Sequence, residues 1–320
     1  MSIPEDESGA QPNVGHDPLV FEPGDSATRI VEEWLERPAL RLLVERFGGT
    51  WPSKGGVVHR LEALHEFSVV WDRRQGASRL HIVEAVEGAE LADLVLKAAQ
   101  ELGLVVQPPL QRRSYDWAFV LGGLATGCLS RVQALSALIT AGTRVDGVAL
   151  LGSFRQLQDE ELATLSDESF EALTEVVTLQ AASDRWLHTA DWAEQLTGNL
   201  VSDPRRASFR ASAEGMHGLN VHAFASASSE PQKRAANTAD TYHTAVAELS
   251  PGSGAHILLV TSRIYRYQWL DAIRVLGRPC ELSIELYGTE SGANSRRSFG
   301  PSWYLQELRS MITSSLAVLR

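Results

Sequence analysis

From Tyr115 onward, short apolar runs alternate with segments of helical periodicity, and this alternation constrains the fold more than any other feature. Strands that alternate with helices form a parallel sheet joined by right-handed crossovers. The pattern therefore predicts a Rossmann-like α/β domain, a parallel sheet flanked by helices, over residues 114–320. The predicted strands are residues 117–121, 147–151, 219–224, 257–260 and 282–286.

The stretch between the second and third predicted strands is unusually long. Residues 162–216, approximately, exceed what a single crossover helix needs. The stretch contains Trp186, Trp192 and a polar break at Asp203. We interpret it as a helical insertion beside the sheet.

The part of the chain before the sheet has a different pattern. Residues 1–26 are rich in Asp, Glu, Pro and Gly, which predicts a disordered acidic tail. Residues 27–108 are predicted to be mainly helical and to end at a connector marked by Pro108 and Pro109. We expect these helices to form a separate layer that packs on the α/β domain through Trp34, Leu43 and Leu94.

Composition limits the classes of function. The sequence contains no run of about 18 apolar residues, so no membrane-spanning helix is predicted. The N-terminus also lacks the features of a signal peptide. We therefore expect a cytoplasmic protein without membrane contact. The net charge of −11 argues against broad nucleic-acid binding, and the pair Arg112-Arg113 is interpreted as solvated surface. Two cysteines, Cys128 and Cys280, and scattered histidines predict no metal site.

Chemistry-bearing residues follow four of the predicted strands, at the edge where open α/β sheets bind ligands. In the first loop, Gly122 and Gly123 precede a helix whose start offers N–H groups to an anion, and Arg131 lies on that helix. The alternative is a tight turn capped by Ser130. Cys128, near the helix start, is either a thiol of lowered pKa or a small buried side chain.

The second and third loops have similar alternatives. Gly152 and Ser153 end a strand, and Arg155 follows, where its guanidinium suits a phosphate or carboxylate. The acids at 159–161 either include a functional group or complement the dipole of their own helix. Asn237 and Thr238 open a helix, which taken alone is an ordinary capped helix start.

The fourth loop follows the most apolar strand. It contains Thr261, Ser262 and Arg263, followed by Tyr265. Hydroxyls and an arginine at a strand end suit an anionic ligand, and a capped helix with a surface arginine explains them equally well. Because the four loops share one sheet edge, together they indicate a ligand-binding site more specifically than any one of them does alone. We therefore expect Gly122, Gly152, Asn237 and Thr261 to border one cleft.

The four loops in this order resemble the YdcF/SanA/ElyC family over roughly residues 115–320. Many members have His and Arg at the positions that Tyr265 and Gln268 occupy in this chain. Any role that the family's His and Arg side chains perform is therefore not expected here. SanA and ElyC have a membrane anchor, so the chain looks more like the soluble YdcF. That resemblance implies S-adenosylmethionine as a candidate ligand.

These observations predict a transferase or hydrolase that acts on an anionic, nucleotide-like or S-adenosylmethionine-like small molecule. We expect Glu160 or Tyr265 to carry the proton. A non-catalytic ligand-binding protein is the alternative, because no nucleophile–base pair is evident, and a scaffold that binds a protein through its N-terminal helices is a third. The predicted ligand-binding residues are Gly122, Gly123, Arg131, Gly152, Ser153, Arg155, Asn237, Thr238, Thr261, Ser262 and Arg263.

Overall fold

The computed structural model describes residues 19–74, 82, 84–86, 88–167, 173–290 and 299–320. Within these residues, eight strands form one sheet. The strands are β1 (Val20–Phe21), β2 (Ser114–Leu121), β3 (Arg144–Gly152), β4 (Ala193–Thr197), β5 (Ser208–Glu214), β6 (Asn220–Ala225), β7 (His256–Ser262) and β8 (Ser283–Thr289).

Ten α-helices lie in the same described residues. A π-helical turn, Ile273–Gly277, continues the ninth of them. The helices are α1 (Ala27–Leu35), α2 (Pro38–Arg46), α3 (Val57–Phe67), α4 (Ala89–Glu101), α5 (Ala125–Thr140), α6 (Asp159–Asp167), α7 (Glu175–Trp186), α8 (Thr238–Leu249), α9 (Tyr267–Ala272) and α10 (Pro301–Leu319).

The sheet confirms the predicted Rossmann-like α/β fold. Its order is β1-β8-β7-β2-β3-β6-β5-β4, and the five central strands, β8 to β6, are parallel. The chain adds β3 and β6 on one side of β2 and then crosses to add β7 and β8 on the other. Strand order therefore reverses between β2 and β7, and ligands of such sheets bind at the carboxyl edge beside this reversal.

Alternation along the central strands divides the core between the two faces of the sheet. Phe119 and Leu121 of β2 belong to a cluster with α1–α4 and α8–α10, and Ala118 and Val120 belong to a cluster with α5–α7. Successive side chains of a strand point to opposite faces, so an apolar run without polar positions is buried on both.

The N-terminal helices pack on the first of these faces. Trp34 and Leu43 are buried in the cluster that includes β2, and Leu94 packs against it. The segment Ser68–Trp71 is a 3₁₀ turn rather than a strand. Residues 1–18 of the predicted acidic tail lie outside the described residues, but the tail prediction is wrong for its end, because β1 pairs with β8 and Phe21 is fully buried.

The insertion is not entirely helical, which corrects the sequence interpretation of residues 162–216. After α7 the chain forms the antiparallel hairpin β4–β5, and β5 extends the sheet beside β6. All five residues of β4 are exposed. The strand β4 therefore lacks the apolar alternation by which a strand is recognised in a sequence. The hairpin is positioned by the pairing of β5 with β6.

Candidate small-molecule site

A cleft of about 430 Å³ lies at the carboxyl ends of β2 and β3, opposite the start of α8. Three of the four predicted loops contribute Gly122, Gly152 and Asn237 to it, but Thr261, which the sequence also predicted to border the cleft, is buried and is not among the lining residues. The lining residues are Leu121, Gly122, Gly123, Leu124, Leu151, Gly152, Ser153, Arg155, Gln158, Glu175, Ala236, Asn237, Thr238, Thr241 and Gln268.

Two of the glycines make room for the start of α7. A Cβ at Gly152 would lie 2.7 Å from the Cα atom of Val176, and one at Gly122 would overlap the Glu175 carboxylate. The sequence predicted that both glycines bind a ligand. In the structure the protein's own α7 packs against them, and it brings Glu175 to the wall of the cleft.

Arg155 lies between two carboxylates at this wall. Its Nη1 and Nη2 atoms donate to Glu161 at 2.7 and 3.0 Å, and its Nε atom donates to Glu175 at 3.1 Å. Nη2 also donates to the Gly123 carbonyl at 2.6 Å. Burial alone would lower the pKa of Arg155, but the two glutamates raise it above its usual value, so the guanidinium is held as a cation.

Glu161 occupies the position predicted for an anionic ligand. Its carboxylate accepts the Ala125 N–H at the start of α5 at 2.8 Å and the Gln158 N–H at 3.1 Å. Burial acts to raise the pKa of this carboxyl, but the bonds from Arg155 and from the two N–H groups lower it overall. Glu161 therefore complements the N-terminus of α5 as well as that of its own helix, and its side chain is only 3% exposed.

Glu175 has the opposite electrostatic character. Burial raises the pKa of its carboxyl more than Arg155 and Arg131 lower it. The pKa values of Glu161 and Glu175 are thus shifted in opposite directions although both side chains contact the same guanidinium. Two carboxyls that differ in this way can serve as a proton donor and a permanent anion.

Arg131 does not line the cleft. Its side chain is buried at the strand-order reversal, where Nη1 donates to the Leu121 carbonyl at 2.6 Å and Nη2 donates to the Ser262 hydroxyl at 3.1 Å. The guanidinium carbon lies 5.8 Å from the centre of the Tyr265 ring. Arg131 therefore joins the ends of β2 and β7, and Ser262 faces it rather than the cleft.

The other residues of the fourth loop also lie away from the cleft. Thr261 is buried and donates its hydroxyl hydrogen to Gln268, whose side chain lines the cleft. Arg263 donates through Nε to the Gly288 carbonyl at 3.0 Å and through Nη1 to the Val105 carbonyl at 2.9 Å. These two bonds direct Arg263 toward the end of β8, so it does not join Arg155 as the sequence predicted.

The third loop contributes cleft residues that also cap a helix. Asn237 and Asp240 form a reciprocal capping box at the start of α8, with bonds of 2.9 and 3.1 Å. Thr238 and Thr241 line the cleft from the first turn. Arg234 helps hold the pKa of Asp240 far below its usual value against the effect of burial, so Asp240 stays ionised.

The two predicted proton carriers lie elsewhere. Glu160 is exposed on α6 and is not among the lining residues. Tyr265 is 4% exposed and packs against Arg131. Cys128 is fully buried in α5, which begins at Ala125 rather than at Ser130, and burial raises the pKa of its thiol to about 12. Its thiolate is therefore scarce at neutral pH.

Sequence reasoning missed four polar lining residues as parts of the site, namely Gln158, Glu175, Thr241 and Gln268. Glu175 is the first residue of α7, and an acid at that position ordinarily signals only a favourable helix dipole. No group of His, Cys, Asp and Glu side chains suited to a metal ion occurs in the described part of the chain.

One family model matches the chain, and the match is confined to the helices before the central sheet. Residues 22–103 match the Rv3785 N-terminal domain. This match covers α1–α4 and not the central sheet, so the resemblance to YdcF over residues 115–320 stays a prediction.

Whole-length similarity extends to mycobacterial proteins. The uncharacterized proteins Rv3785 and MT3893 of Mycobacterium tuberculosis and Mb3814 of Mycobacterium bovis are each 27% identical to this chain. Each alignment covers 94% of this chain and 93% of the relative. No solved structure matches the chain. No helix among the described residues is long and apolar enough to cross a bilayer.

Proposed function

We propose that the protein is a cytoplasmic small-molecule enzyme, a transferase or hydrolase, that acts on a nucleotide-like or S-adenosylmethionine-like ligand in the cleft. The observation that carries this proposal is the Glu175 carboxyl at the cleft wall, 12% exposed, whose pKa is raised beside the permanently charged Arg155–Glu161 pair. The resemblance of the four loops to YdcF supports the same ligand classes. A volume of about 430 Å³ suits a ligand of roughly nucleoside size.

Glu175 is the proposed proton carrier, in place of Glu160 and Tyr265. A carboxyl of raised pKa keeps its proton closer to neutral pH and can deliver it to a leaving group, or can accept one once ionised. The Arg155 guanidinium, 3.1 Å away, would stabilise the carboxylate left after proton transfer. Glu161 fixes Arg155 in this position from the opposite side.

The charge balance defines how an anionic ligand would bind. When Glu175 is protonated, the positive charge of Arg155 is balanced by the negative charge of Glu161, so this wall of the cleft has no net positive charge. A phosphate or carboxylate of the ligand would therefore replace Glu161 at Arg155 and at the Ala125 N–H. The hydroxyl and amide groups of Ser153, Asn237 and Thr238 then remain for the uncharged part of the ligand.

The second candidate function is ligand binding without turnover. It is favoured by the absence of a nucleophile–base pair among the described cleft residues and by the burial of Cys128. In that case Glu175 would accept a hydrogen bond from the ligand and transfer no proton.

A ligand screen followed by one substitution tests the proposal. Thermal unfolding with nucleotides, sugar nucleotides and S-adenosylmethionine identifies ligands, and each stabilising compound is then assayed for turnover. Glu175→Gln should retain binding and lose about 10²-fold or more in turnover, the lower end of what a general acid or base contributes. The matched control is Glu248→Gln, an exposed glutamate of α8. Turnover unchanged in Glu175→Gln would contradict the proposal, and ligand binding without turnover would support the second candidate.

A further inference from the structure

A second cavity, of about 440 Å³, lies between residues 107–113, the end of α5 and β8. Its lining includes three arginines, Arg112, Arg113 and Arg263, and contains no Asp or Glu. This composition stands out because the whole chain has a net charge of −11. The sequence assigned Arg112-Arg113 to solvated surface and Arg263 to the first cleft, and the structure brings all three to this cavity.

Neighbouring groups orient these arginines without neutralising all of them. Main-chain carbonyls of Gly288 and Val105 hold Arg263, and Glu290 lies 3.3 Å from its Nη1 atom. Arg112 is paired with Glu22 at 2.6 Å. Among the described residues, Arg113 has no ion-pair partner. Three cations thus face two carboxylates, and both carboxylates lie outside the lining.

The nearest carboxylate of β8 is committed to other groups. Glu285, two residues before the lining residue Tyr287, is buried, accepts the Tyr115 hydroxyl hydrogen at 2.7 Å and accepts the Gln111 N–H at 2.6 Å. These bonds engage its carboxylate within the protein, and Glu285 is not among the lining residues. The positive charge of the arginines therefore faces the cavity.

Apart from Gln107 and Thr143, the remaining walls are apolar and aromatic. Pro108, Leu138 and Tyr287 line the cavity beside the arginines. Guanidinium groups bind phosphate through paired N–H donors, and an aromatic ring beside them offers a surface for a flat organic group. The cavity thus combines the two features that recognise an organic phosphate.

We propose that this cavity binds a phosphorylated small molecule, with the phosphate at Arg113 and Arg263 and the organic part against Pro108 and Tyr287. The site is separate from the cleft at β2 and β3, and the proposal does not depend on the function proposed for that cleft.

Calorimetric titration of the full chain with phenyl phosphate tests this site. Arg113→Gln should weaken binding by about tenfold, because a charge-assisted hydrogen bond is lost. Arg263→Gln should weaken it similarly. Arg113→Lys should retain part of the affinity, since the charge remains. Arg278→Gln, which removes an exposed charge outside the lining, is the control and should change affinity by less than about twofold.

Several outcomes would overturn the proposal. They are no binding by the wild-type chain, or equal weakening in Arg113→Gln and Arg278→Gln, which would indicate general charge attraction. Loss of binding in Arg155→Gln with normal binding in Arg113→Gln would place the phosphate in the first cleft instead. Arg113 is exposed, so its substitution tests the site even if Arg263→Gln fails to fold.

Discussion

Arg155 and Glu161 form a bidentate ion pair in which both carboxylate oxygens lie within 3.0 Å of the guanidinium nitrogens. Glu161 also accepts the first N–H of α5. A side chain of α6 therefore takes the place that a ligand anion was expected to take, and the positive charge of Arg155 is balanced within the protein.

Glu161→Ala should lower the free energy of unfolding by about 1–3 kcal/mol, because Arg155 and the Ala125 N–H lose their acceptor while solvent screens part of the lost attraction. Urea unfolding measures the change. Glu160→Ala, the exposed neighbour on α6, should change stability by less than about 0.5 kcal/mol. Equal effects of the two substitutions would show that the bonds of Glu161 to Arg155 and to the start of α5 do not stabilise the fold.

Glu161→Gln should also strengthen binding of an anionic cleft ligand. The substitution removes the carboxylate that competes for Arg155 but keeps the shape of the side chain. Isothermal titration with any nucleotide found in the ligand screen measures the affinity. Weaker binding in Glu161→Gln would mean that the ligand needs the Arg155–Glu161 pair intact and does not replace Glu161.

Glu175→Gln should change how stability depends on pH. Since the folded-state pKa of Glu175 lies above 4.5, its proton stabilises the fold below pH 4.5, and this contribution is lost as pH rises through the folded pKa. Glutamine does not titrate. The variant should therefore match the wild type near pH 4 and gain stability relative to it by pH 8, as measured by urea unfolding. A variant less stable than the wild type at pH 8 would contradict the raised pKa.

Arg131→Met should destabilise the unliganded protein by about 3 kcal/mol or more, because the Leu121 and Gly122 carbonyls and the Ser262 hydroxyl lose a charged donor. This expectation differs from the sequence interpretation, in which Arg131 faced a ligand. Thermal and urea unfolding measure the loss. Arg210→Met, an exposed arginine of β5, is the control. A change no larger than the control's would exclude the bridging role.

The fold could be predicted where burial leaves a pattern. Residues 117–121 and 257–260 are buried on both faces, and both runs proved to be central parallel strands. The hairpin β4–β5 left no such pattern because β4 is exposed along its length. The β1 strand is only two residues long, and its burial depends on β8, which is distant in sequence.

For the site, the sequence could predict which loops lie together at the sheet edge, but not the contacts that their side chains make. Gly122, Gly152 and Asn237 lie at the carboxyl edge because parallel strands place their ends together. The partners of each charge could not be read from the sequence. Arg155 proved to be held by Glu161 and Glu175, six and twenty positions along the chain, where tertiary packing alone decides the contact.

The pKa of the Glu175 carboxyl in the folded, unliganded protein tests the central claim most directly. Carbon-13 NMR of the glutamate side-chain carboxyls across pH gives it, with Glu175→Gln and Glu161→Gln used to assign the two resonances. The structure predicts a midpoint above 4.5 for Glu175 and below 4.5 for Glu161. A Glu175 midpoint at or below 4.5 would contradict the assignment of this residue as the proton carrier of the cleft.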